Sequence, residues 1–536
     1  MLSSYTCHVD TFTRDNLPPR ELMPQFLFNR PELQYPERLN AAEQLVDVHV
    51  AAGLGNKMAV IGADHAWTYG QLQDAANRVA QVLMEDFGLL PGHRVLLRGY
   101  NNAMCMAIWL GIVKAGGVVV ATMPMLRAAE LKPIIDKAEI ALAVSDGRLM
   151  SEIEAAQKQS PHLRRVVAFG GGELEERMAR KDGKFRNVPT GRDDVVLLAF
   201  TSGTTGKPKA TMHFHRDVLA ISHAFGQHVL RPSQDDVFTG SPPYAFTFGL
   251  GALVSMPLAA GATVAPLEQS TPDIILDTIE RHKVTTLFTA PTMYKALLAK
   301  ASDLNMSSLK ACVSAGEHLP KPTAQEWAER MGFPIIDGIG STEMTHIFIS
   351  AAGKDVRFGA TGRTVPGYEA RIVDENMNTL PPGEVGRLAV RGPTGCRYLA
   401  DERQTVYVND GWNLTGDAFL MDEEGYFWFQ ARNDDMIISA GYNIAGPEVE
   451  EALLSNTKVM ECAVVGVPDE ARGHIVKAFV VLKPGIEGTP DVVKELQDHV
   501  KNTIAPFKYP RAVEFVDSLP KTGTGKIQRF KLRQQS

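Results

Sequence analysis

Short apolar runs alternate with amphipathic stretches through the first two thirds of the chain. RVLLRGY (94–100), ALAVSD (141–146), DVVLLAF (194–200), ATVAPLE (262–268) and VTTLFTAP (284–291) have the length and apolar content of buried strands. Between them lie patterns of helical period, such as QLQDAANRVAQVLMEDFG at 71–88. Strands that alternate with helices predict parallel sheets covered by helices, an α/β fold. The most apolar stretch, LGIVKAGGVVVA at 110–121, is interrupted by Lys114 and is too short to span a bilayer, so it reads as a buried helix running into a strand.

The pattern changes after about residue 360. YEARIVDENMNTLPPGEVGRLAVRG (368–392) reads as two strands joined by a Pro/Gly turn, the start of a more antiparallel β region. Beyond ARNDDMIIS (431–439) come the helix PEVEEALLS, with Pro447 in its first turn, and the strand patterns AVVGVP and KAFVVLKPG. A boundary near 433 is expected. It divides a large N-terminal domain (1–433), which includes the β subdomain, from a small mobile α+β domain (434–536).

Composition narrows the partners. The chain has 536 residues, too many for one ordinary core, and a net charge of −7 spread along its length. That charge argues against nucleic acid or an anionic membrane as main partner. The five cysteines are far apart and form no CxxC pair, which disfavours a disulfide framework or a structural zinc site and suits a reducing cytoplasm. The N-terminus lacks the pattern of a secretory signal. A monomer or homodimer without a stable membrane anchor is expected.

The densest chemical signal is TSGTTGKPKA at 201–210, directly after DVVLLAF. Gly203 and Gly206 free the backbone to curl, Thr201, Ser202, Thr204 and Thr205 bring hydroxyls, and Lys207 and Lys209 bring positive charge. Such a segment suits a polyphosphate, although taken alone it also reads as a surface turn. A P-loop is excluded by spacing. Only two residues separate Gly203 from Gly206-Lys207, and Pro208 follows the lysine. GTGK at 523–526 fails too, since Ile527 follows its lysine.

Five further segments follow in a fixed order: WTYGQL (67–72) upstream, then DGIGSTEM (337–344), LTGD (414–417), ARNDDMIISAGYNIAGPEVE (431–450) and PKTGTGK (520–526). Together with TSGTTGKPKA they resemble the signatures of the adenylate-forming superfamily: acyl-CoA synthetases, peptide-synthetase adenylation domains and beetle luciferases. The resemblance covers nearly the whole chain.

It implies a role for each matched residue. Residues 201–207 would hold the ATP phosphates. Glu343, preceded by Thr342 in the catalytic signature, would hold a magnesium ion bridging those phosphates. Asp417 would accept hydrogen bonds from the ribose hydroxyls, and Arg432 would also contact the ribose. Gly316 and Glu317, with Asp337 and Gly338, would bracket the adenine. Lys526 would stabilise the charge that builds as a carboxylate attacks the α-phosphorus. Asp434 falls at the family's hinge, where the small domain rotates between half-reactions. That rotation would bring Gly441 and Tyr442 to line a passage for the pantetheine arm of coenzyme A.

The acid's pocket follows from the same resemblance. Its lining would come from Phe246, Thr247 and Phe248, from Ala315, and from Ile339, Gly340 and His346. Phe246 replaces the family's frequent His, and Ile339 its frequent Tyr. Both departures, and the stretch DNLPPRELMPQFLFNRPELQYPERLN, resemble benzoate- and 2-aminobenzoate-CoA ligases of aromatic-acid degradation. Phe248 and Ile339 would make a flat apolar slot, and Thr247 would offer a hydroxyl to a ring substituent. His346 resembles a histidine that those enzymes place near the carboxylate. His213 and His215 form HxH without further ligands nearby, so packing or hydrogen bonding is their expected role.

The implied reaction is carboxylate plus ATP to acyl-AMP and pyrophosphate, then transfer to CoA with release of AMP. Alternatives are a medium-chain fatty acid–CoA ligase, a stand-alone enzyme loading a carrier protein, a binding-only relative and a luciferase-like oxygenase. Intact Glu343, Asp417 and Lys526 argue against the binding-only relative.

Overall fold

The computed structural model describes residues 2–202, 208–300, 306–432, 436–439, 442–469, 473–504, 506–521 and 527–534. The apolar stretch at 110–121 shows how pattern becomes structure. Helix Ala103–Lys114 is buried on every side, and strand Val118–Thr122 follows it. Lys114, about 1% exposed, ends the helix against Asp47, whose carboxylate oxygens lie 2.5 and 2.6 Å from its ammonium. A buried charge is tolerated there because it is paired at short range. Helix Tyr69–Gln81 packs on this helix. Its N-terminus is fixed by a capping box between Thr68 and Gln71.

Among the described residues two large sheets form. The first has the order Arg165–Phe169, Leu142–Asp146, Arg94–Arg98, Val118–Thr122, Val195–Ser202, Pro208–Phe214. The second centres on Val237–Gly240, Thr286–Thr289, Ala311–Ala315 and Ile336–Gly340. Both are parallel in their interiors, as the alternation predicts. Both turn antiparallel at an edge: Val195–Ser202 with Pro208–Phe214, and Ile336–Gly340 with Ile347–Ser350. The segments joining those edge strands are too short for the helical crossover that parallel pairing would need. The run ATVAPLE contributes only Thr263–Val264 as strand. A continuous apolar core fills the space between the helices and both sheets.

The β region contains the antiparallel pair Glu369–Val373 and Val385–Arg391, in register from Glu369 opposite Arg391 to Val373 opposite Arg387. Trp412–Met421 and Phe427–Arg432 extend that sheet. Further on, Val459–Asp469 and Gly473–Leu482 pair antiparallel. Helices Gly446–Leu454 and Pro490–Thr503 add Val449, Leu453 and Leu496 to a separate core with Val464 and Val480. The ammonium of Lys295, on helix Pro291–Lys300, donates to the Met460 carbonyl and ties this C-terminal unit to the rest.

Candidate active site

The two antiparallel edges carry several of the candidate residues. Val195–Ser202 and Pro208–Phe214 form a hairpin with Thr201 opposite Lys209 and Ser202 opposite Pro208. Its tip, Gly203, Thr204, Thr205, Gly206 and Lys207, lies outside the described residues. The glycine-rich segment therefore joins two strands, whereas a P-loop opens a helix. The Thr201 hydroxyl is buried and has no hydrogen-bond partner among the described residues.

The other edge turns at 341–346. Thr345 sits at φ +72°, and its amide donates to the Thr342 carbonyl at 3.2 Å. This tight turn presents Glu343 inward, about 6% exposed. Its Oε1 lies 2.7 Å from the Lys209 ammonium and accepts from the Tyr398 hydroxyl at 2.6 Å. Burial opposes ionisation of Glu343, but Lys209 and Tyr398 outweigh it and hold the carboxyl below its usual range. Tyr398 reaches this place because residues 397–399 run alongside the hairpin. The Met212 amide donates to the Arg397 carbonyl at 2.7 Å and the Leu399 amide to the Ala210 carbonyl at 2.9 Å.

Lys209 and His213 lie on one face of the strand Pro208–Phe214. Like Lys209, His213 addresses the turn, with Nδ1 3.0 Å from the Thr345 hydroxyl. His215 Nδ1 accepts from the Ala41 amide at 3.1 Å. The HxH pair is thus used for hydrogen bonding within the fold.

The nucleotide-side candidates come from two sheets: Gly316 and Glu317 follow a parallel strand, where open α/β sheets place ligands, Asp337 and Gly338 lie in the neighbouring strand, and Asp417 and Arg432 belong to the antiparallel β region. Strand Ala311–Ala315 leads into Gly316, at φ +91°, and Glu317. His318 follows, its ring stacked on Phe429 at 5.6 Å. In the next strand Asp337 stands opposite Ser314 and Gly338 opposite Ala315. Burial pushes the Asp337 carboxyl up to about 7. Asp417 and Arg432 are cross-strand partners, with Nε 3.4 Å from Oδ1.

The acid-side candidates converge around His346. Phe246 precedes the short helix Thr247–Leu250, and Thr247 is buried. A side chain at Gly249 would meet the Pro243 carbonyl at 2.0 Å, so the chain can turn this sharply only with glycine there. The Phe248 ring lies 5.7 Å from His346 and 5.9 Å from Phe288, and Phe225 flanks His346 at 5.6 Å. Burial holds the His346 imidazole down to about 3, against a smaller opposing effect of the Phe248 backbone, so it is neutral. Ile339 and Gly340 end the adjacent strand where the register shifts. Phe248 and Ile339 both pack against the central core.

Besides residues 203–207, the candidates Lys526, Asp434 and Gly441 lie outside the described residues. The flanks of the Lys526 segment are anchored: Lys521 bridges to Ile527, and Arg529 Nη2 lies 2.8 Å from both Glu450 oxygens. Arg529 is also close enough to His318 for its charge to oppose protonation of that ring, which burial already disfavours. Tyr442 pairs with Ser439 in an antiparallel ladder.

Residues 48–398 match the AMP-binding enzyme family, and residues 448–526 match the AMP-binding enzyme C-terminal domain. This chain belongs to the AMP-binding enzyme family. It is 37% identical to the benzoate–CoA ligase of Thauera aromatica over 517 residues, covering 94% of this chain and 97% of that one. An anthranilate CoA ligase crystallised with anthranoyl-AMP superimposes with a TM-score of 0.90 at 34% identity, covering 94% of this chain and 99% of its own. A benzoate CoA ligase from Burkholderia xenovorans LB400 gives 0.85 at 32% identity, covering 92% and 99%. The enzyme class that follows is an AMP-forming CoA ligase, which uses ATP and CoA.

Motif reading of this AMP-binding enzyme missed Tyr398, Tyr407 and His318. Tyr398 and Tyr407 carry no local signal: Tyr398 comes to Glu343 through the pairing of residues 397–399 with the hairpin, and Tyr407 through its packing on Tyr398 and its hydroxyl contact with Ser341. His318 directly follows a matched segment and could have been found from that position.

Proposed function

We propose that the protein activates an aryl acid, 2-aminobenzoate or benzoate, as its CoA thioester in two steps. The acid's carboxylate oxygen attacks the α-phosphorus of ATP, and pyrophosphate leaves. The CoA sulfur then attacks the acyl carbon, losing its proton, and AMP leaves. The observation that carries the aryl reading is the wall around His346. Phe248, half-buried, packs on the buried, neutral His346 and on Phe288, so the face it leaves for a ring is flat and apolar, with no imidazolium charge behind it. The likeness to benzoate and anthranilate CoA ligases supports the same substrate class.

The site residues take the following parts. Residues 201–207 hold the phosphates, and Asp417 and Arg432 the ribose. Gly316, Glu317, Asp337 and Gly338 bracket the adenine, and Lys526 neutralises charge at the α-phosphorus. A magnesium ion would be held by Glu343, preceded by Thr342, and would supply charge screening between the phosphates and the incoming carboxylate. Among the described residues no three His, Cys, Asp or Glu side chains converge, and Glu343 is a buried, ionised carboxylate. That donor set fits a cation held by one carboxylate plus phosphate and water. Residues 434–536 form the mobile domain. Asp434 is its hinge, and Gly441 with Tyr442 faces the pantetheine arm in the second step. The enzyme works in a reducing cytoplasm.

A competition assay tests the substrate class. The expected order of kcat/KM places 2-aminobenzoate, 2-hydroxybenzoate and benzoate above hexanoate and octanoate, and preference for the aliphatic acids would defeat the aryl reading. Thr247→Val should lower the preference for 2-aminobenzoate over benzoate by several-fold, the scale of one hydrogen bond worth about 1 kcal/mol. An unchanged ratio would remove Thr247 from that role alone.

A further inference from the structure

Lys209 stands at the foot of the phosphate-loop hairpin, two residues past its undescribed tip, yet it is held by protein groups on three sides. Its ammonium lies 2.7 Å from Glu343 Oε1 and donates to the Tyr398 hydroxyl at 2.6 Å. The Tyr398 and Tyr407 rings face it at 4.9 and 5.8 Å, a two-sided aromatic box for a cation. The box is built into the same turn as Glu343. The Tyr407 hydroxyl lies 3.1 Å from Ser341 Oγ, which accepts from the Met344 amide at 3.2 Å. The box, the ammonium and the carboxylate therefore form one unit, in which Glu343 already has a cation.

We propose that Lys209 is a positioning residue that occupies Oε1 of Glu343 in the nucleotide-free enzyme and yields it only to a cation arriving with ATP phosphates. The proposal rests on the assignment of Glu343 to the metal. Geometry supplies the reason for the exchange. Lys209 stands opposite Thr201, one of the residues assigned to the phosphates, whose buried hydroxyl has no hydrogen-bond partner among the described residues. Phosphate oxygens would offer its ammonium a new anionic partner as the divalent cation takes the carboxylate. Without nucleotide no such partner is present. A free divalent cation would then have to push Lys209 off Oε1 while the aromatic box keeps it close as a second positive charge, which Coulomb repulsion opposes. Lys209 thereby makes metal binding conditional on ATP.

The test is nucleotide-free Mn²⁺ binding, followed by the electron paramagnetic resonance signal of free Mn²⁺. Wild-type protein should bind Mn²⁺ weakly. Lys209→Met should bind it at least about tenfold more tightly, since a positive charge in contact with the ligand oxygen has been removed. Lys209→Met/Glu343→Gln should return to wild-type weakness. If Lys209→Met does not fold, Lys209→Gln is read in the same way. A single variant that binds Mn²⁺ no better than wild type overturns the role of Lys209, as does tight binding that survives in the double variant. Glu343→Gln alone, titrated with ATP and Mg²⁺ by calorimetry, separates the two assignments. Loss of metal-dependent ATP binding upholds Glu343 whatever Lys209 does. Unchanged binding overturns Glu343 and the proposal together.

Discussion

Lys526→Ala is expected to slow acyl-adenylate formation by at least about 10²-fold, the scale for losing a positioned group that stabilises developing charge. Thioester formation from supplied acyl-adenylate should stay within a few-fold of wild type. The asymmetry follows from where charge changes. In the first step negative charge accumulates around the α-phosphorus as the carboxylate oxygen arrives, and an ammonium there is worth most in the transition state. In the second step the reacting centre is the acyl carbon, and the proposed rotation has carried residue 526 away. The described flanks of the segment are anchored, with Lys521 bridged to Ile527 and Arg529 held by Glu450. Pyrophosphate exchange measures the first step and thioester absorbance the second. Equal loss in both would contradict a lysine that serves one step only.

Arg397→Met is expected to destabilise the N-terminal part by about 3–5 kcal/mol, the cost of leaving one member of a buried ion pair alone. Arg397 and Asp217 are both fully buried and paired through Nη2 and Oδ2. Burial works against the Asp217 carboxylate, but Arg397, with His213 and Arg216 nearby, holds it below its ordinary range. Arg397 Nε also donates to the Met212 carbonyl at 3.0 Å, and its guanidinium lies over the Phe214 ring at 4.0 Å. The pair thus clamps residues 397–399 to the hairpin strand Pro208–Phe214 and keeps Tyr398 beside Lys209. Differential scanning calorimetry should show a lower transition for Arg397→Met. Arg397→Met/Asp217→Asn should recover much of the loss, because no uncompensated charge remains. A double variant as unstable as the single would show that packing, not charge, dominates this contact.

The interior of the fold was legible because its signals are local. Period-two and period-3.6 patterns mark the parallel strands and their helices, and a buried Lys114 did not disguise the helix that carries it. The antiparallel edges were not legible, because nothing in DVVLLAF or DGIGSTEM tells which neighbour it will pair with or in which direction. The stretch ATVAPLE looked like a full strand, yet only Thr263 and Val264 enter the sheet, between Val237–Gly240 and Met58–Ile61. At the site, Glu343, Asp417 and Arg432 stood out through their segments. The Tyr398–Lys209–Glu343 unit did not, since it depends on a contact between residues 187 apart in sequence, Thr211 and Tyr398. His213 was read correctly as a hydrogen-bonding group, but its partner Thr345 could not be named before the turn was seen.

The central claim, that an aryl acid is passed through an adenylate to CoA, is tested most directly by mass spectrometry of the wild-type enzyme with 2-aminobenzoate, benzoate and ATP. Without CoA, pyrophosphate and an enzyme-bound aryl-AMP are expected. On adding CoA, the adenylate should disappear as aryl-CoA and AMP appear in equal amounts. Release of ADP and phosphate instead, or an aryl-AMP that persists in the presence of CoA, would contradict it.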